Sequence, residues 1–309
     1  MTKPDLESLL KNSGFDLVGI APYQKLTEER VALEKWTERG MAADMEYMKR
    51  NFDKKEDPAL VVPGCKSIIV VGMNYFTRRH APAEKGKISK YAWGGDYHDV
   101  MLERLYRICD AIKTDFPGSS SRAYVDFGPT MDRRWAVRAG LGWQAKNGCI
   151  ISPEIGSFFF IGLIITTVDF ADATPGRIPD GCGSCARCMK ACPTGAIVSP
   201  TVVDARKCLS YWTIEYKGES LPDEIADKQS GNLFGCDICQ DVCPWNIKLE
   251  IPTAEQAFLP RNDQSSIAPV EVIEMTQGDF NARFRKSPVK RTKLAGLKRN
   301  AESLLRFNK

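Results

Sequence analysis

Over residues 1–175 the chain switches between helical and strand-like spacing of its apolar positions, the signature of a mixed α/β domain. Leu6–Leu10, with Gly14 beyond, predicts a short helix stopped by glycine. Phe15–Ala21 and Ser67–Tyr75 read as buried strands, and between them Thr27–Arg39 and Ala43–Arg50 have helical spacing. Val100–Ile112 places Leu102, Leu105, Ile108 and Ile112 on one helical face. Arg122–Phe127 reads as a strand that Gly128-Pro129 breaks, and Asp132–Ala139 as a helix stopped by Gly140. Cys149–Ser152 and Phe158–Val168 read as strands, the second apolar enough for burial on both faces.

The pattern breaks at Ala171–Gly181, whose two prolines and two glycines predict a linker. A cysteine-rich segment follows to about Asn246. The remainder starts as proline-spaced loop and ends in a basic helix. The predicted organisation is therefore 1–175, 176–250 and 251–309, with no repeat to suggest a solenoid. A 43% hydrophobic composition excludes a disordered chain. The charge-free run Ile155–Val168 is shorter than the ~20 residues a membrane span needs. The opening MTKPDLESLL has acids where a signal peptide needs an apolar core. These features predict a cytoplasmic, monomeric chain without a membrane partner. The net charge of +4 hides an asymmetry, because Arg283–Lys309 holds ten Lys or Arg and one acid, Glu302. Such a run is either a solvated helix face or the footprint of a polyanion.

Cysteine changes the picture more. Eight of the eleven lie between Cys182 and Cys243, and clustered thiols in a reducing compartment point to metal rather than disulfides. Only two histidines exist, which argues against metal sites of two or three histidines. CGSCARCMKACP places Cys182, Cys185, Cys188 and Cys192 in the C-x2-C-x2-C-x3-C-P run of bacterial ferredoxins. In such runs the cysteine before proline ligates the other cluster of a pair. CDICQDVCPW supplies Cys236, Cys239 and Cys243, with Cys208 as a remote fourth. The crossed assignment gives one 4Fe–4S cluster to Cys182, Cys185, Cys188 and Cys243, and a second to Cys192, Cys208, Cys236 and Cys239. Paired structural zinc sites would need neither the Cys-Pro endings nor the crossing. Cys65, Cys109 and Cys149 lack partner spacing and read as small buried hydrophobes.

Two clusters form a wire, and a wire needs a terminus. GLGWQA (140–145) matches a loose dinucleotide fingerprint, but its glycines follow a helix and precede a strand, so it is rejected. Asp126, at the end of a strand and before a turn, is the candidate for proton chemistry; the plainer alternative is a turn-capping aspartate.

At this point a resemblance enters. YVDFGPTMDRRWAVRAGLGWQAKNG, ISKYAWGGDYHDVM, IGSFFFIG, the cysteine block through CDICQDVCPWN and the closing FNARFRKSPVKRTKLAGLKRN together resemble epoxyqueuosine reductases over nearly the whole chain. The resemblance implies a nitroreductase-like α+β cobalamin domain beside a ferredoxin-like module. The implied activity is reduction of epoxyqueuosine to queuosine at the wobble position of tRNA with a GUN anticodon. Two 4Fe–4S clusters, fed by an unidentified electron donor, would pass electrons to cobalamin. Carried over by position, Asp126 is the proton donor. Lys55, Tyr97, His98, Lys146, Asn147, Ser157 and Ser210 fall on segments lining the cofactor and substrate cavity. Ala145, Leu163, Lys55 and Trp93 depart from residues usual in the family. Many members also continue into a helical-repeat domain, for which this chain has no room.

Asp96-Tyr97-His98 begins like the D-x-H-x-x-G motif that gives cobalt a histidine ligand, but Met101 stands where glycine is required. A bound corrin would therefore lack a histidine lower ligand. Removing an epoxide oxygen as water takes two electrons and two protons, so an acid must protonate the opening oxygen. Burial beside the corrin would raise the Asp126 pKa to suit that role. The alternatives are a corrinoid reductive dehalogenase and a two-cluster electron-transfer or corrinoid-activating protein.

Overall fold

The structure, a computed structural model, describes residues 1–78, 85–170, 178–261 and 264–307. Most of the predicted linker (171–177) and the last two residues of the basic tail lie outside the described residues. The strands in chain order are β1 (Leu17–Pro22), β2 (Ser67–Asn74), β3 (Gly86–Ile88), β4 (Ser121–Tyr124), β5 (Trp143–Gln144) and β6 (Ile150–Ile151). They continue with β7 (Phe159–Thr166), β8 (Ile197–Ser199), β9 (Val202–Val203), β10 (Asn232–Phe234) and β11 (Ser266–Ile267).

The main sheet has the order β1-β2-β7-β4, and every pairing in it is antiparallel. The α+β form of the expected fold is therefore the one adopted. The crevice that opens at strand ends of parallel sheets does not explain where the site lies. All eight residues of β2 are buried, as helices on both faces require. Ile69, Val71 and Met73 face one core with Tyr97, Met101, Leu105, Ile108 and Ile112 of the Tyr97–Asp115 helix. Ile68 and Val70 face the other with Trp135, Ala136 and Ala139. Met101, which breaks the histidine-ligand motif, is fully buried in the first core. There Gly162 admits the helix, since a Cβ on it would stand 2.9 Å from Leu105 and 3.1 Å from Met101.

A second sheet, β10-β3-β11, takes one strand from each of the three predicted segments. Its core joins Ile88 and Trp93 to Leu233, Phe234, Phe280, Phe284, Leu297 and Leu304. The C-terminal Lys293–Phe307 helix is thus built into the body by its apolar stripe.

Two local expectations are corrected. Ala43–Arg50 holds only a 3-10 turn at Glu46–Lys49, with Ala43 at φ 49, so its helical spacing is not sustained. The strand expected to reach Phe127 stops at Tyr124, and Asp126 lies beyond it at φ 62. Pairing with β7 ends there, and aspartate is among the few residues that tolerate the left-handed region.

Candidate active site

Asp126 is presented by a turn that other groups hold. Its N–H donates to Asp132 Oδ2 at 3.2 Å, and Thr130 donates its hydroxyl to Asp132 Oδ1. Burial pushes the Asp132 carboxyl up to about 6, with the Asp126 charge adding to the effect. Tyr97 Oη donates to Asp126 Oδ2 at 2.7 Å. Burial, and then the Asp126 charge, push the Tyr97 phenol far up, so it stays a donor. Asp96 caps the same helix by accepting from His98 N–H, and its Oδ1 lies 2.7 Å from His98 Nδ1. Burial opposes the Asp96 charge, but the contacts with His98 hold its carboxyl below the usual range. His98 Nε2 points to the other side, 3.9 Å from Asp126 Oδ2, buried and without a hydrogen-bond partner.

Four rings stack outward from the core to this turn. Phe160 lies 4.1 Å from Tyr97, Tyr97 3.9 Å from His98, and His98 4.1 Å from Phe127. Phe127 is 71% exposed and the Asp126 side chain 69% exposed. The expected burial of Asp126 is therefore not a property of the chain by itself. Beta pairing has ended, and the described residues leave the Asp126 and Phe127 side chains mostly exposed.

None of the eight clustered cysteines is in a disulfide, and they fall into two neighbourhoods. Burial pushes Cys188 up, and the thiol charges it meets are those of Cys182, Cys243 and Cys185. Cys243, also raised by burial, meets Cys182 and Cys185. In the other neighbourhood, burial raises Cys208, which meets Cys192, and Cys236, which is pushed up to about 12 and meets Cys208 and Cys192. Cys239, well above its ordinary value through burial, meets Cys236 and Cys208. Among the described residues no three His, Cys, Asp or Glu side chains converge as ligands of a single ion. Thiolates bonded to separate irons of a cube stand further apart than that. Burial pushes the Cys149 thiol up to about 11, and the charges it meets include those of Cys208 and Cys243.

The other sequence-derived residues divide by what they touch. Lys146 Nζ donates to the carbonyls of Gly183 (2.6 Å) and Cys185 (2.8 Å), and Asn147 Nδ2 to that of Cys239 (3.4 Å). Ser157 Oγ donates to Gln240 Oε1 at 2.9 Å, and Ser210 hydrogen-bonds the Cys208 thiol. These four therefore fasten the sheet domain and the Cys208 segment to the thiol sets. Lys55 is buried and donates to the carbonyls of Tyr47 and Met48, so its charge serves that turn. The basic tail also divides. Arg291 makes a bidentate pair with Glu215, and Arg299 is 4% exposed, donating to the carbonyls of Trp212, Tyr216 and Gly218. Neither fits a uniformly solvated face.

Sequence reasoning missed Asp132, Phe127 and Tyr47. Tyr47 is 46% exposed and lies within reach of the charges of Glu215, Arg291 and Asp126. Asp132, six residues from Asp126 across a Gly-Pro turn, carried a legible signal; Tyr47 meets the site only through tertiary folding.

Comparison with known proteins gives a consistent result. Residues 55–127 match a family described as "Epoxyqueuosine reductase QueG, DUF1730", and residues 181–246 match a 4Fe-4S double cluster binding domain. The chain is 43% identical to an epoxyqueuosine reductase of Cellulophaga algicola over 94% of each chain. It is 41% identical to one of Synechocystis sp., covering 93% of this chain and 100% of that one. Among solved structures, an epoxyqueuosine reductase with an epoxyqueuosine-modified tRNA-Tyr stem loop superposes with TM-score 0.92 at 30% identity, covering 99% of this chain and 81% of that one. A Bacillus subtilis epoxyqueuosine reductase, captured with its catalytic loop swung out of the active site, superposes with TM-score 0.90 at 29% identity over the same shares.

Proposed function

The chain belongs to the epoxyqueuosine reductase family and reduces epoxyqueuosine to queuosine; from that premise we propose which of its residues carry the reaction, and on what substrate. The substrate is epoxyqueuosine at the wobble position of tRNA with a GUN anticodon, a reading supported by the similar enzyme solved with a modified stem loop. The observation that carries the residue assignment is the Asp126 carboxyl. Tyr97 holds one of its oxygens, while the side chain stays open to solvent.

The double-cluster segment holds two 4Fe–4S clusters. The neighbourhoods of the thiols support the crossed ligand sets, Cys182, Cys185, Cys188 and Cys243 in one and Cys192, Cys208, Cys236 and Cys239 in the other. Cobalamin fits beside Asp126 in a specific respect: the buried, unpartnered Nε2 of His98 is a polar atom that a corrin's amide side chains could satisfy. Tyr97, His98 and Asp126 would line it from the sheet side, and Lys146, Asn147, Ser157 and Ser210 from the side of the clusters. Bound there, it would supply a strongly reducing centre for the epoxide carbon.

The chain's own part is to place and protonate. Tyr97 donates to Asp126 Oδ2, which leaves Oδ1 to carry an acidic proton to the opening epoxide oxygen. Asp132, by accepting the Asp126 N–H, keeps the turn in its left-handed conformation. Asp96 fixes the ring of His98 so that Nε2 faces Asp126. Phe127, stacked on His98 on one face and largely exposed, offers a ring on which a nucleobase can stack.

The test is mass analysis of tRNA nucleosides from cells deleted for this protein. Epoxyqueuosine should accumulate, and the wild-type gene, but not an Asp126→Asn copy, should restore queuosine. Normal queuosine in the deleted cells would overturn the reading.

A further inference from the structure

The basic tail holds a second arrangement, independent of the ion-paired Arg291 and the buried Arg299. The Gln277–Arg283 helix ends at Arg283, and the chain then turns through Arg285 and Lys286, the latter at φ 51. Arg261 arrives from a distant segment and clamps this turn. Its Nη2 donates to the carbonyls of Arg285 (2.6 Å) and Lys286 (2.5 Å), and its Nε donates to Gln264 at 3.3 Å. The result is a cleft of about 440 Å³ lined by Arg261, Ala282, Arg283, Arg285 and Lys286. Four cations thus share one concavity, and none of the described residues that line it is an acid. Among the described residues, the buried Nε of Arg283, one of the lining residues, has no hydrogen-bond partner. Like charges so placed repel, and an unmatched buried donor is costly, so the cleft is complementary to a multiply charged anion.

Its position says which anion. The Lys286 carbonyl accepts the backbone N–H of Asp96 at 2.8 Å, and the Arg261 charge reaches the Asp96 carboxylate. Asp96 caps the helix that carries Tyr97 and His98, so the cleft adjoins the Asp126 group through one residue. A nucleotide whose base lies at Asp126 would bring its flanking phosphodiesters to this neighbourhood. We propose that Arg261, Arg283, Arg285 and Lys286 form a phosphate cleft that grips the anticodon-loop backbone beside the wobble nucleotide. This rests on the tRNA reading above and adds where the strand is held.

The test measures binding of a labelled epoxyqueuosine anticodon stem–loop by anisotropy at 50–200 mM salt, for the holoprotein, two charge-matched alanine double variants and one lysine double variant. Each phosphate contact on a single strand contributes a slope of about 0.7 in log affinity against log salt, or roughly fourfold in affinity at 0.15 M. Arg283→Ala/Arg285→Ala should therefore weaken binding by roughly tenfold or more and flatten the slope by about 1.4. Lys290→Ala/Lys298→Ala, which removes the same charge elsewhere on the tail, should produce a clearly smaller loss. Arg283→Lys/Arg285→Lys, with unchanged iron content, should keep most of the slope and so guards against a folding defect in the alanine variant. Equal losses from the two alanine pairs, or no loss from the first, would overturn the cleft. Failure of the wild-type protein to bind the stem–loop at all would instead remove the tRNA reading beneath it.

Discussion

Arg299 is a cation that the structure assigns to the fold rather than to nucleic acid, and replacing it with methionine separates the two roles. Its guanidinium is buried, and no carboxylate is among the described groups that act on it. Instead it donates to the carbonyls of Trp212 (2.9 Å), Tyr216 (2.8 Å) and Gly218 (3.1 Å) and to Asn300 Oδ1, and it lies 5.1 Å from the Tyr216 ring centroid. Hydrogen bonds to a charged group contribute ~1.5–3 kcal/mol each, so loss of the three carbonyl contacts removes about 5–9 kcal/mol. Methionine no longer carries the cost of burying a charge, which is several kcal/mol. The net loss for Arg299→Met is then about 3 kcal/mol, or roughly 5 °C in melting temperature at about 2.1 cal/mol/K of unfolding entropy per residue. Lysine should rescue little, because one ammonium cannot reach carbonyls spread around a planar fork. Anaerobic thermal unfolding, paired with stem–loop affinity measured well below the transition, checks this. A variant that melts within about 2 °C of wild type but loses tRNA affinity would refute the structural role.

Asp126→Asn should retain fold and iron content but lose about 10²–10⁴-fold in turnover, because the amide accepts from Tyr97 yet cannot donate an acidic proton; near-normal turnover would return Asp126 to a turn-capping role. Cys243→Ala should leave about half of the eight irons of two cubane clusters, with the surviving signal belonging to the set of Cys192, Cys208, Cys236 and Cys239. Loss of that signal instead would show the ligands are not crossed. Asp132 has a folded pKa of about 6 against an ordinary 3.8, so the native state holds a proton that the unfolded chain releases between those values. Stability therefore falls as pH rises through that window, and the cost is complete above about pH 6. Asp132→Asn removes the cost: it should melt higher than wild type at pH 8, and the advantage should shrink by about half at pH 5. An advantage that does not vary with pH would refute the assignment.

Some of this protein was legible in one dimension. The cysteine spacing carries the double-cluster chemistry because neighbouring ligands of a cube come from short local segments. The buried strands 67–74 and 159–166 and the helix over 97–115 were legible too, since periodic apolar positions report which face meets a core. Asp126 stood out only as an aspartate before a Gly-Pro turn. What tertiary structure decided is everything that depends on groups far apart in sequence meeting. Strand order, and with it the antiparallel sheet, follows from long-range pairing that local pattern does not encode. The ten cations of the tail look alike as letters, yet Glu215 neutralises Arg291, three carbonyls bury Arg299, and Arg261 from outside the tail turns Arg283, Arg285 and Lys286 into a cleft. The partner of a charge determines what it does, and packing of the whole chain chooses that partner.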